Sequence, residues 1–247
     1  MCSALYASLN ENPTFEAISY CLKGEPVTIL LDDTPFEICS NLACDLRHMR
    51  IEGCRTLWAD AICINQTDNV NKSWQVGLMG RIYKQAQRGL LWLGPEQDDS
   101  DLAMDVLTSG PRKKNEVTRY AEFFEELKEN QSPSFSESSL RVIHSLSCFF
   151  NRDYWSRIWI IQEVILCKEF LLLCGEKTIG TFDFYISLIV ISGSISAWYR
   201  RMERSSSIGE IQEHSQSVER IASIKAYAPL FWLKQHHMHV RGAMGPL

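Results

Sequence analysis

An α/β protein with a mostly parallel sheet flanked by helices is predicted by three observations. Short apolar runs alternate along the chain with segments whose apolar residues recur at helical spacing, which is the order of a covered parallel sheet. The run 89–93 is apolar at every position bar its opening glycine and stops at Gly94-Pro95, as expected of a strand buried on both faces. The 247 residues are 45% hydrophobic and 22% charged, enough apolar material for one large domain with a full core.

Taken in order, Phe15-Glu16-Ala17-Ile18-Ser19-Tyr20 reads as a short buried strand and 22–26 as a loop. Segments 27–31 and 34–38 form a hairpin around Asp32-Asp33. Ser40 or Asn41 is placed to cap a helix carrying Leu42, Leu46 and Met49 on one face. A strand is expected over 56–64, then a polar loop over 65–69 and a helix with Val76, Met79, Ile82, Tyr83 and Ala86 facing inward. The strand 89–93 follows. Residues 96–139 break the rhythm, with Lys113-Lys114 and the loop-like Ser132-Pro133-Ser134-Phe135-Ser136, and read as a helical insertion. A helix over 155–167 and a strand over 169–174, stopped by Gly175, resume the core.

From Phe182 onward the pattern is helical, so the expected organisation is a domain over 1–185 with a helical C-terminal extension over 186–247. The apolar stretch 184–199 is shorter than the roughly 20 residues a spanning helix needs and carries four serines, so no membrane span is expected. Arg200, Arg201 and Arg204 beside it keep a membrane-surface alternative open. A formal net charge of -5 argues against a nucleic-acid partner. Nine scattered cysteines without a CxxC pair, behind a start that lacks the regions of a secretory signal, point to a reducing, cytoplasmic setting and no metal centre. His236, His237 and His239 read as a solvated tail.

Glu163 is the residue whose chemistry demands an explanation. It lies in Trp155-Ser156-Arg157-Ile158-Trp159-Ile160-Ile161-Gln162-Glu163, among groups that bury, so it must pair with a cation or carry a raised pKa. Arg157 is the nearest cation in sequence. A structural ion pair and a catalytic carboxylate are both open. Cys63 invites a nucleophile reading with His48 or His144 as base, against the commoner inert thiol.

Three blocks together resemble the fungal heterokaryon incompatibility (HET) domain family. They are 15–20, the stretch Leu57-Trp58-Ala59-Asp60-Ala61-Ile62-Cys63-Ile64-Asn65-Gln66 with its following helix, and Arg157-Ile158-Trp159-Ile160-Ile161-Gln162-Glu163. The chain departs from the family pattern at Cys21-Leu22-Lys23-Gly24 and at Asn71-Lys72. HET domains are held to resemble TIR domains, which implies a flavodoxin-like sheet whose strand ends form a binding crevice. The resemblance further implies a role in self/non-self recognition and programmed cell death, self-association, and an activating partner protein.

By the same analogy Glu163 matches the glutamate with which enzymatic TIR domains cleave the N-glycosidic bond of NAD. NAD is then a substrate, and no cofactor is implied. One carboxylate suffices, because nicotinamide leaves as a neutral base and only the oxocarbenium charge needs stabilising. Ser19, Tyr20, Asp60, Asn65, Gln66, Trp155, Arg157 and Trp159 are the matching substrate-binding candidates, with the aromatic rings for stacking and Arg157 for a phosphate. This enzyme reading expects an open crevice at Ser19, Asp60 and Glu163, and a Glu163 locked against Arg157 counts against it. The alternative is a non-enzymatic, self-associating signalling module with Glu163 in a structural ion pair.

Overall fold

The computed structural model describes residues 2–50, 55–109, 121–129, 135–157 and 159–205. Lys113-Lys114, the loop 132–134 and the histidines at 236, 237 and 239 lie outside the described residues. Seven strands and eight helices are seen among them. In chain order these are β1 (Glu16–Tyr20), β2 (Pro26–Leu31), β3 (Thr34–Cys39), α1 (Ser40–His48), β4 (Leu57–Trp58), α2 (Asp60–Cys63), α3 (Asn69–Gln85) and β5 (Gly89–Trp92). They continue as α4 (Ser100–Ser109), α5 (Ala121–Glu129), α6 (Glu137–Phe150), α7 (Ile160–Leu166), β6 (Phe170–Cys174), β7 (Lys177–Gly180) and α8 (Thr181–Ser205).

The main sheet has the order β4-β1-β5-β6-β7, with β1 parallel to both β4 and β5, and β5 parallel to β6. This is the flavodoxin-like order, in which the chain reverses direction of travel across the sheet beside the first strand. Only Gly175 and Glu176 separate β6 from β7, too short a link for a parallel crossover, so β7 returns antiparallel. The hairpin β2–β3 stands as its own two-stranded sheet in the predicted register, Leu31 opposite Thr34.

All five residues of β1 are buried because both faces are covered. On one face Ile18 and Tyr20 pack with Leu42, Ala43, Met49, Ala59, Leu90 and Trp92. On the other Ala17 packs with Met79, Ile82, Tyr83, Ala86 and Cys167. The single charge within β1, Glu16, is satisfied at the strand's start. It accepts from Arg55 Nε at 2.8 Å and from Arg88 Nε at 2.6 Å. Arg55 and Arg88 precede β4 and β5, so one carboxylate ties the starts of two neighbouring strands to β1.

Three sequence expectations are corrected. Neither Ser40 nor Asn41 caps α1: the cap position is Cys39, without a side-chain bond. Asn41 instead bridges, donating to the Cys21 carbonyl at 2.8 Å and accepting from Trp92 Nε1 at 3.0 Å. The strand expected over 56–64 is only Leu57–Trp58; Asp60–Cys63 turns into α2, a short apolar run that reads equally as strand or helix. The helix expected over 155–167 is broken, with a 3-10 turn at Asp153–Ser156 and α7 starting at Ile160.

The chain divides into two compact units, Met1–Pro95 with Ser156–Thr178, and Glu96–Trp155 with the chain from Ile179 onward. The second unit joins the helices of the expected insertion, lengthened by α6, to α8, and the division falls within β7. In it α4, α5, α6 and α8 pack on one another around Met104, Leu107, Phe123, Leu146, Phe149 and Trp198. Helix α8 is long and apolar enough to cross a membrane on length and composition alone, and it buries Phe184, Leu188, Ile191 and Ile195 within this unit.

Candidate functional site

The break before α7 creates the candidate site. On a continuous helix, residues six apart lie on different faces and cannot pair. With the helix starting at Ile160, Arg157 is free of it and folds back to Glu163. Arg157 Nη1 lies 3.0 Å from Oε2 of Glu163, and Nη2 lies 3.0 Å from Oε1, a bidentate pair. Ser19, at the end of β1, donates its hydroxyl to Oε2 of the same carboxylate and accepts from Arg157 Nη1 at 3.3 Å.

Glu163 is 1% exposed, whereas the Arg157 side chain keeps 21% of its surface. Burial pushes the Glu163 carboxyl above its ordinary range, against the Arg157 charge and the Ser19 hydrogen bond, and the Asp60 charge adds to the rise. The carboxylate that demanded a cation has one. It is locked against Arg157, the outcome that counts against a catalytic carboxylate in this conformation.

Of the other predicted residues, Tyr20 and Asp60 lie at the same strand end. Adjacent residues of β1 point to opposite faces, so Tyr20 lies on the α1 side while Ser19 faces α7. Tyr20 is 3% exposed, and its phenol is pushed up by burial and then by Asp60. Asp60 thus acts electrostatically on both Tyr20 and Glu163, while its own Oδ1 accepts from the Ala61 backbone at 2.8 Å.

Asn65 and Gln66 organise their loop. Asn65 Oδ1 accepts from the backbone and hydroxyl of Thr67 at 3.1 and 2.8 Å, and Gln66 donates to the Asp60 carbonyl at 3.2 Å. Asp68 then accepts from the Val70 backbone at 3.0 Å, which starts α3. Trp159 sits at the start of α7, 42% exposed, with its carbonyl taking the Glu163 amide at 3.2 Å. Trp155 belongs to the helical unit, where its ring stacks on Phe184 at 5.9 Å and its indole donates to the Phe149 carbonyl. Its ring faces serve that core.

Cys63 is open to solvent, yet its thiol is raised, first by protein crowding the sulfur and also by the Asp60 charge. His48 packs against Trp92 with the rings tilted and their centroids 5.3 Å apart, and His144 contacts Cys148, so both proposed bases are engaged elsewhere. The sequence reading missed Asp45, which is wholly buried in α1 with neither carboxyl oxygen hydrogen-bonded. Its carboxyl is pushed up to about 8 by burial, with Arg55 opposing. The missed signal was its position beside Leu42 and Leu46 on the apolar face of the helix.

Comparison with known proteins adds a family to this geometry. Residues 15–163 match the model of the family described as heterokaryon incompatibility protein (HET). The chain is 33% identical over 169 residues to heterokaryon incompatibility protein 6, OR allele, of Neurospora crassa, with 59% of this chain and 25% of that protein covered. The chain therefore spans about a quarter of the length of this curated relative. No solved structure matches. The matched segment runs from the residue before β1 to Glu163 and holds Ser19, Tyr20, Asp60, Arg157 and Glu163, and the chain belongs to the heterokaryon incompatibility (HET) family.

Proposed function

We propose that this chain is an effector domain of fungal self/non-self recognition that drives programmed cell death, acting through assembly and partner contacts. The family match supports the biological role. The observation that carries the mode of action is the buried Ser19–Arg157–Glu163 cluster, in which both carboxylate oxygens are occupied. Glu163 here is an ion-pair member that fixes α7 to the end of β1.

A second reading, hydrolysis of the N-glycosidic bond of NAD by Glu163, is favoured by a specific placement. The cluster lies at the carboxyl end of β1, where the sheet order reverses and α/β proteins bind ligands. The half-exposed Trp159 offers a stacking surface beside it. In that reading Glu163 stabilises the developing oxocarbenium charge once Arg157 has moved to a phosphate.

Expression in fungal cells separates the two. The assembly reading expects growth arrest by wild type and by Glu163→Gln alike, with concentration-dependent light scattering from both purified proteins. Growth arrest lost in a Glu163→Gln protein that still melts cooperatively, or wild type that stays monodisperse at every concentration, contradicts it.

A further inference from the structure

The helical unit holds a second line of reactive groups. Arg141, His144 and Cys148 follow one another along α6 at spacings of three and four, which puts them on one helix face. Asp99, in the turn before α4, takes hydrogen bonds from Arg141 Nε at 3.0 Å and Nη2 at 2.9 Å. That carboxyl is held below its usual range by Arg141 first, and by the His144 charge as well. His144 in turn reaches Cys148, whose Sγ lies 3.7 Å from Nε2 and 3.8 Å from Nδ1. The Cys148 residue is half-buried.

An imidazole in contact with a thiol accepts its proton and leaves the nucleophilic thiolate, and a fixed carboxylate nearby stabilises the imidazolium that results. We propose that Cys148 is a thiol-modification site, activated by His144, that exchanges with low-molecular-weight disulfides. The Cys148 thiolate attacks one sulfur of the disulfide; a Cys148–sulfur bond forms as the disulfide bond breaks. The departing thiolate takes back the proton held by His144. One mixed disulfide and one free thiol result: the small disulfide is the oxidant, one of its sulfurs leaving as a thiol as the Cys148 sulfur enters the mixed disulfide.

The test is incubation of the whole chain with oxidised glutathione, followed by peptide mass spectrometry that reads mixed-disulfide formation at each cysteine. Cys39 and Cys44 share the exposure class of Cys148 and serve as internal references. Cys148 is expected to be modified about tenfold faster than either, and His144→Gln to bring it down to their rate. Asp99→Asn, which leaves the imidazole in place, is expected to slow it by about threefold. A wild-type Cys148 no faster than Cys39 and Cys44 overturns the proposal, and so does an unchanged rate in His144→Gln. The wild-type comparison decides even where a variant does not fold.

Discussion

At the scale of the residue, Glu163 and Asp45 are kept out of water by different means. Glu163 has Arg157 and Ser19, so removing one partner leaves the other stranded. Arg157→Ala is expected to cost about 3–5 kcal/mol in urea unfolding. Combining it with Glu163→Gln should recover part of that loss, with a coupling energy of about 2 kcal/mol, and strictly additive costs would mean that the pair does not hold α7 in place. The Asp45 carboxyl has no hydrogen bond and stays protonated in the folded state until about pH 8. Because its folded pKa is raised, its contribution is full below the unfolded value near ~3.9 and is lost as pH rises through the folded value. The advantage of Asp45→Asn over wild type should therefore grow from about pH 5 to about pH 8, by up to roughly 1.4 kcal/mol per pH unit. Parallel stability profiles for the two proteins would contradict this. Glu163 was legible because a carboxylate among tryptophans needs a partner, whereas Asp45 stands between leucines in a short helix with no such contrast around it.

At the scale of the element, turns and breaks decide where the functional side chains fall. Gly24 has φ +93, and a Cβ there would sit 2.0 Å from Ser40 Oγ, where the loop closes on α1 through Ser40 N to Glu25 O at 2.8 Å. Gly24→Ala is expected to lower stability by about 2 kcal/mol. Ser40→Ala in the same chain should restore only part, since the positive φ remains; calorimetric melting measures both. Helix α6 is started by Ser136, whose hydroxyl accepts from the Ser139 backbone at 3.3 Å, and Ser136→Ala should cost about 1 kcal/mol.

The hairpin, β1 and β5 were readable because alternation and unbroken apolarity are distinct signals. The extent of β4 was not, because Ala61-Ile62-Cys63-Ile64 is apolar in any register and a four-residue run has no period to measure. The break before α7 was also invisible. Nothing local at Arg157 disfavours helix; the pull of a buried carboxylate six residues on, with Ser19 of β1 beside it, supplies the reason. Sequence periodicity finds elements, and tertiary charge pairing moves their ends.

At the scale of the whole molecule, the parallel sheet brings Ser19, Tyr20, Asp60, Arg157 and Glu163 to one strand end from stretches up to 144 residues apart. The family blocks at 15–20, 57–66 and 157–163 are thus the parts of one constellation, held in the first unit, while the second unit contributes its own helical core. In the assembly reading proposed above, the constellation closes on itself and the domain acts without turnover. Nicotinamide release from NAD by the concentrated purified chain, with Glu163→Gln in parallel, tests it most directly. The same background release is expected from both proteins at every concentration. Sustained release by wild type that Glu163→Gln abolishes would contradict it and make Glu163 the catalytic carboxylate.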